Sequence, residues 1–253
     1  MTVLAIALHK GGTGKTATTL ALGVELARLG RRVLLADLDP QSNLTLASGY
    51  EPEEIGASIY EALLQPELGI AQATLQTPHG VDLLPATIAL AGAEIMLTGR
   101  IGRELLLRRA IEVARRAYDY VLIDTPPSLG LFTINALAAA DSVIVPLQSE
   151  ALAWRALPQL EETIRLVQQL NPTLHISGIV VTMYKRTALS HAIDAEARER
   201  YGDLVFAAQI PDTVKLAEAP AAGQPISTYA PDHPATKAYR DLAQEVDTRY
   251  GSK

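Results

Sequence analysis

Apolar and polar positions along the chain follow two alternating rhythms. Short runs rich in Val, Ile and Leu, apolar on consecutive positions, occur at Val3–Leu8, Arg32–Asp37, Val81–Leu84, Tyr120–Asp124, Ser142–Pro146, Ile176–Thr182 and Leu204–Ala208. Between most of them apolar residues recur at helical spacing, over Gly14–Leu29, Ser58–Leu64, Gly102–Ala117, Leu131–Ala139, Leu157–Leu170, His191–Tyr201 and Ala235–Tyr250. A strand apolar on both faces must be covered on both faces. The alternation therefore predicts an α/β fold, a mostly parallel twisted sheet flanked by helices on both sides. Gly30 stands where a glycine would end the first helix. Residues 49–80 are less regular, with Pro52, Pro66 and Pro78, and read as an excursion from this frame. No Gly/Ser-rich linker, repeat or low-complexity tract divides the chain, so residues 1–253 are expected to form a single domain.

The first predicted strand runs into His9-Lys10-Gly11-Gly12-Thr13-Gly14-Lys15-Thr16 and then a helix. Three glycines let the backbone turn tightly and bring its N–H groups close to an anion. The helix N-terminus behind them adds partial positive charge. Lys15 can reach the β- and γ-phosphates of a nucleotide, and the Thr16 hydroxyl can ligate Mg²⁺. The loop departs from G-x-x-x-x-G-K-[ST] in having His at position 9. A ligand-free glycine turn has no need of a lysine, a hydroxyl and a helix in this order. A dinucleotide site fits less well, since no G-x-G-x-x-G is present and a lysine inside the loop suits a triphosphate. The expected fold is thus that of a P-loop NTPase.

Two predicted strands end in carboxylates. The second closes in Asp37-Leu38-Asp39-Pro40. The C-terminal ends of parallel strands face the ligand crevice, and an Asp there can orient a water for in-line attack on a γ-phosphate. Asp39, just past the strand, is the better candidate, with a plain turn before Pro40 as the competing reading. Tyr120–Asp124 is a hydrophobic strand ending in Asp, the Walker-B arrangement, in which the carboxylate holds Mg²⁺ directly or through water.

These stretches, with LADLDPQSN at 35–43, YDYVLIDTPPSLGLFTIN at 118–135, AAADSVIVPL at 138–147 and IPDTVKLAEA at 210–219, resemble the ParA/Soj partition ATPases of the MinD-like group. The likeness spans essentially the whole chain. It implies that Lys10 is the signature lysine that crosses a dimer interface to the other subunit's ATP, so that two ATP-bound subunits sandwich both nucleotides. It implies that Gly11, Gly12, Thr13, Gly14, Lys15, Thr16 and Ala17 hold the phosphates. Lys10, Lys15 and Asp39 would serve catalysis, Thr16, Asp39 and Asp124 would serve Mg²⁺, and Pro211 with Asp212 would pack beside the adenine. ATP-bound dimers of the family bind DNA nonspecifically and are reset by a ParB-like activator, for the positioning of a chromosome, plasmid or other cargo. Lys185 and Arg186 match the basic loop after the TM(Y/L) strand, and Lys215 stands near enough in sequence to substitute for a DNA-contacting arginine that the family carries at 212. The chain departs from the family at His9 and Ala17. It also has Asp212-Thr213 where an Arg-Asn pair is common, so an acid stands in place of a cation associated with DNA.

Composition prunes the alternatives. With 253 residues, 48% hydrophobic and 20% charged, the chain is neither disordered nor fibrous. It has no cysteine, which excludes thiolate metal sites and removes the nitrogenase-iron-protein and cluster-carrier relatives of this group. A biosynthetic amidoligase-like relative finds no support in the motifs. The longest uncharged run, Thr125–Ala140, is shorter than the ~20 apolar residues of a spanning helix, and Lys10 follows Met1–Leu8 too soon for a signal core. The expected setting is the cytoplasm, on the nucleoid. A MinD-like membrane-surface ATPase is the alternative, but the stripe Ala238, Leu242, Ala243, Val246, Tyr250 of the last helix reads as core packing. Trp154, the only tryptophan, reads as ordinary packing.

The net charge of −6 gives no general expectation of nucleic acid. Six of the 22 Lys and Arg residues fall at Arg100, Arg103, Arg108, Arg109, Arg115 and Arg116. They read either as a solvated helix face with Glu104 and Glu112 interspersed or as part of a basic patch with Lys185, Arg186 and Lys215.

Overall fold

The computed structural model describes residues 1–150 and 153–251. Eight strands form one sheet: β1 (Thr2–Ile6), β2 (Val33–Asp37), β3 (Leu75–Gln76), β4 (Asp82–Leu84), β5 (Tyr120–Asp124), β6 (Ser142–Gln148), β7 (Ile176–Tyr184) and β8 (Val205–Pro211). Their spatial order is β3-β4-β2-β5-β1-β6-β7-β8, parallel throughout except for the β3–β4 pair. All seven predicted strands appear, with ends shifted by up to three residues. The short edge strand β3 is new. Two residues carry no periodicity to read.

Side chains alternate between two apolar layers. On β1, Val3 and Ala5 face one layer and Leu4 and Ile6 the other, and on β5 Val121 and Ile123 oppose Tyr120 and Leu122. Both faces are buried, which is why these strands read as continuous hydrophobic runs. The helices Lys15–Arg28 and Pro234–Tyr250 cover the second face, while Leu106–Ala114, Leu131–Ala139 and Ala156–Val167 cover the first.

The helix Lys15–Arg28 ends as predicted at Gly30, whose φ is 86°. The Gly30 N–H donates to the Ala27 carbonyl at 2.9 Å and the Arg31 N–H to Leu26 at 3.2 Å, closing the last turn in the Schellman manner. The irregular stretch 49–80 contains the predicted helix at Ile59–Leu64 and a second, unpredicted one at Pro66–Ala73. Ser58 and Glu61 form a capping box that starts the helix Ile59–Leu64, and Pro66 opens the helix Pro66–Ala73. Proline suits a first helical position, so here it marks a start rather than a break.

The C-terminal helix buries Ala235, Thr236, Tyr239, Leu242, Ala243 and Val246 against the helix Lys15–Arg28 and β8. Its predicted stripe is a packed one, with Ala238 and Tyr250 partly buried at its margins and Tyr239 added at its centre. Trp154 stacks on Tyr201 with ring centroids 6.3 Å apart. Among the described residues no helix is long and apolar enough to cross a membrane. The parallel order brings the C-terminal ends of β1, β2, β5, β6, β7 and β8 to one rim, where the candidate residues gather.

Candidate active site

The loop after β1 reverses through Gly12 (φ 74°) and Gly14 (φ 85°), a left-handed backbone that would cost another residue about 1–2 kcal/mol. Among the described residues, no atom beyond the immediate chain neighbours lies within 4 Å of where a side-chain carbon would stand on Gly11, Gly12 or Gly14. The glycines thus keep open a cradle that any Cβ would start to fill. The Thr18 N–H donates to the Gly14 carbonyl at 2.8 Å, so the helix begins directly from the loop and its first N–H groups are left for a ligand. Among the described residues the buried Thr13 hydroxyl has no hydrogen-bond partner, and the Thr13 carbonyl accepts from the Thr182 hydroxyl of β7 at 2.9 Å.

Lys15 is buried and reaches across the loop, its Nζ donating to the Lys10 carbonyl at 3.0 Å. Burial pushes its ammonium below the ordinary lysine value, partly countered by Asp124 and Asp39. The charge-bearing form is short of partners, the condition a polyphosphate would relieve.

β2 and β5 are neighbours, and their register sets Asp37 opposite Asp124. Asp124 accepts from the Thr16 hydroxyl at 2.7 Å and from the Thr19 hydroxyl at 3.4 Å. Burial raises the Asp124 carboxyl to about 8, with the Asp37 charge adding to the rise and Thr16 and Lys15 opposing it. Burial likewise raises Asp37 to about 6. The buried Asp124 carboxyl beside the Thr16 hydroxyl suits a divalent cation, whereas both Asp37 oxygens are taken by donors of the chain. Among the described residues no three carboxylate or histidine side chains converge, so Mg²⁺ here would draw most of its ligands from phosphate and water.

This electrostatic arrangement has a pH signature. A carboxyl raised above its unfolded value of ~4 leaves its stabilisation intact below that value and loses it as pH rises through the folded value of about 8. Asp124→Asn removes the titration. Without nucleotide or Mg²⁺, the melting temperature of the parent chain is expected to fall relative to Asp124→Asn between pH 5 and pH 9. Parallel melting curves across that range would contradict the assignment.

A cavity of about 1170 Å³ opens over the cradle. Gly11–Ala17 form its floor, Asp39 and Leu46 one wall, Thr125 and Pro127 another, and Pro211–Val214 the far end. Of Asp37, Asp39 and Asp124 only Asp39 lines it; Glu51 and Asp212 are the other carboxylates of the lining. The Asp39 carboxylate accepts from the Gln41 N–H at 3.0 Å. The sequence pattern thus brings Gly11 through Ala17, Asp39, Pro211 and Asp212 into one chamber, with Asp124 directly behind Thr16.

Other candidates stand apart. Lys10 does not line its own subunit's cavity; its Nζ donates to Gln148 Oε1 at 3.0 Å and pairs with Glu150 at 3.6 Å. Lys185 pairs with Asp212 at 3.0 Å, and Lys215 with Glu218 at 2.7 Å. The acid at 212 therefore compensates a neighbouring cation. Arg186 is exposed and, among the described residues, has no carboxylate within pairing distance.

The arginines at 108, 109, 115 and 116 are exposed beside or on the helix Leu106–Ala114, with Arg115 paired to Glu112. That helix packs on the helices Ile59–Leu64, Pro66–Ala73 and Leu131–Ala139, away from the ends of β7 and β8. Within one subunit the solvated-face reading fits better than a patch continuous with Lys185. Sequence reasoning missed Asp37, Thr45, Gln148 and Thr182. Each owes its place to strand register or a long-range contact. Only the D-x-D spacing at 37–39 hinted at the first.

Residues 1–176 match a family model described as an AAA domain. The chain is 46% identical over 248 residues to the sporulation initiation inhibitor protein Soj of Bacillus subtilis, covering 96% of this chain and 97% of that one. It is 44% identical over 252 residues to the chromosome partitioning protein ParA of Caulobacter vibrioides, covering 98% and 94%. Among solved structures, a cobyrinic acid a,c-diamide synthase from Mycobacterium smegmatis with bound ATP analog and magnesium superposes with a TM-score of 0.85. It shares 41% identity, with 100% of this chain and 98% of that one covered. Near-complete coverage at this identity, on a sheet that ends in a phosphate cradle and two facing carboxylates, leaves one assignment: the chain belongs to the ParA/Soj family of P-loop ATPases.

Proposed function

We propose that the protein is a slow ATP-driven switch that positions DNA or another cargo, and that residues 1–253 work as a single domain. The cradle, with the Asp39 carboxylate in its lining, carries the reading. It supplies both a phosphate site and a group for the attacking water. Lys15 neutralises the β- and γ-phosphates, and the N–H groups of Gly11–Ala17 surround them. Thr16 and Asp124 would hold Mg²⁺, with Asp39 nearby; the ion would offset negative charge on the phosphates. Asp39 orients a water and accepts its proton. Pro211 and Asp212 flank the base.

In the same reading Lys10 leaves Gln148 and Glu150 to reach the nucleotide of a second subunit, so that ATP completes a dimer. The dimer binds DNA without sequence preference through Lys185, Arg186 and Lys215, and a ParB-like activator stimulates hydrolysis and release. The setting is cytoplasmic, on the nucleoid. A membrane-surface role finds less support, because the apolar stripe of the last helix is packed against the body of the protein. Amide synthesis from glutamine through a cysteine nucleophile is closed to this chain, which has no cysteine.

Gel shifts on nonspecific duplex DNA with ATP, ADP or no nucleotide test the proposal. ATP is expected to promote binding at low salt. If all three candidate cations of each subunit engage, the log–log salt slope of a dimer is about −5. Equal binding in ATP and ADP would remove DNA from the nucleotide cycle.

A further inference from the structure

Asp39 opens a segment that must be held from both ends if its carboxylate is to aim a water. Asp37 holds both. Its Oδ1 accepts from the Asp39 N–H at 3.1 Å, and its Oδ2 accepts from the Thr45 N–H at 2.9 Å and the Thr45 hydroxyl at 2.7 Å. The Thr45 oxygen in turn accepts from the Ala86 N–H at 2.9 Å, tying the segment to the chain just after β4. Asp37 and Thr45 are both fully buried, and neither lines the nucleotide cavity. Between the two anchored ends Ser42 sits at φ 55°, a backbone state that non-glycine residues keep only when their surroundings fix it.

We propose that Asp37 and Thr45 form a clamp that positions Asp39 over the γ-phosphate. They are positioning residues, acting through the backbone of 39–45 and touching no part of the nucleotide. The inference rests on the reading of Asp39 as the group that handles the attacking water. Its chemistry is specific. A carboxylate presents two acceptor oxygens to three donors, whereas an amide would turn one of those oxygens into a donor facing another donor. The Thr45 hydroxyl must both give and receive a hydrogen bond. Valine keeps its shape and does neither, while serine does both.

The test compares Thr45→Val, Thr45→Ser and Asp37→Asn for ATP turnover and for MgADP affinity by calorimetry. Thr45→Val is expected to lower kcat by about 10- to 100-fold, as a small misplacement of a reacting group does, with KM for ATP and MgADP affinity within about 2-fold of the parent. Thr45→Ser is expected to recover most of the rate. A role for Thr45 in packing alone predicts the reverse order, with the isosteric valine active and the smaller serine impaired. That order would overturn the clamp. If Thr45→Val fails to fold, Asp37→Asn, which removes a buried charge, decides the matter: full turnover there overturns the proposal. Asp39→Ala in the same assay separates the two claims. Parent-like turnover in Asp39→Ala removes the catalytic reading and the clamp together. Lost turnover in Asp39→Ala beside an active Thr45→Val removes the clamp alone.

Discussion

Replacing Lys15 with alanine is expected to abolish nucleotide binding. The lysine is buried, and its Nζ spans the mouth of the loop at 3.0 Å from the Lys10 carbonyl. Its ammonium has already lost most of its water, so little further desolvation opposes its pairing with phosphate. Nothing else in the cavity lining can take over the charge, since the other floor residues contribute N–H groups and hydroxyls. Removing one partner of a buried ionic contact costs about 3–5 kcal/mol, which corresponds to a loss of roughly 10²- to 10⁴-fold in affinity. The variant also strips Asp124 and Asp39 of their nearest counter-charge. Calorimetric titration with ATP and Mg²⁺ measures the effect directly. An affinity within a few-fold of the parent would overturn the phosphate-loop assignment, whatever happened to turnover.

Much of this arrangement is legible in the residues themselves, and the illegible part has a common cause. The phosphate loop is a local object. Strand, glycines, lysine, hydroxyl and helix follow one another within about fifteen residues, so their order alone fixes the chemistry. The strands are local too, because burial on both faces writes itself as an unbroken apolar run. What escaped depends on elements far apart in sequence. That Asp37 faces Asp124 follows from β2 and β5 being neighbours in register, which no window of sequence contains.

The pairing of Asp212 with Lys185 likewise joins the ends of two separate strands. On sequence alone the acid at 212 reads as a lost cation. In the fold it is also a restraint on a cation that remains. Lys10 is legible as a signature lysine, but its resting partners Gln148 and Glu150 lie at and just beyond the end of β6. The short helices Asn43–Ala47 and Lys215–Ala221 were hidden for a different reason. Five to seven residues give too few turns for a stripe, and Pro220 inside the second argues against a helix by propensity.

Replacing Asp39 with alanine is expected to separate binding from chemistry. Asp39 lines the same cavity as the cradle, and among the described residues its carboxylate accepts a hydrogen bond from its own loop alone, at the Gln41 N–H. A carboxylate is a poor neighbour for a γ-phosphate in the ground state, because both are negative. Its removal therefore leaves ATP affinity unchanged or slightly tighter. In the transition state the attacking water sheds its proton, and a carboxylate aimed at it is worth about 10²- to 10⁴-fold in rate. Turnover is expected to fall by that factor while calorimetric ATP affinity holds, and the ATP-bound form, with whatever it binds, should accumulate. Asp39→Asn sharpens the point. Its amide oxygen can still accept from Gln41, so the loop keeps its shape, yet it cannot take the proton. Equal loss in both variants identifies proton acceptance as the missing step. If Asp39→Asn retained the parent rate while Asp39→Ala lost it, Asp39 would act by shaping its loop. The attacking water would then need another acceptor, and Asp37 and Asp124, both outside the cavity lining, are poorly placed to supply one.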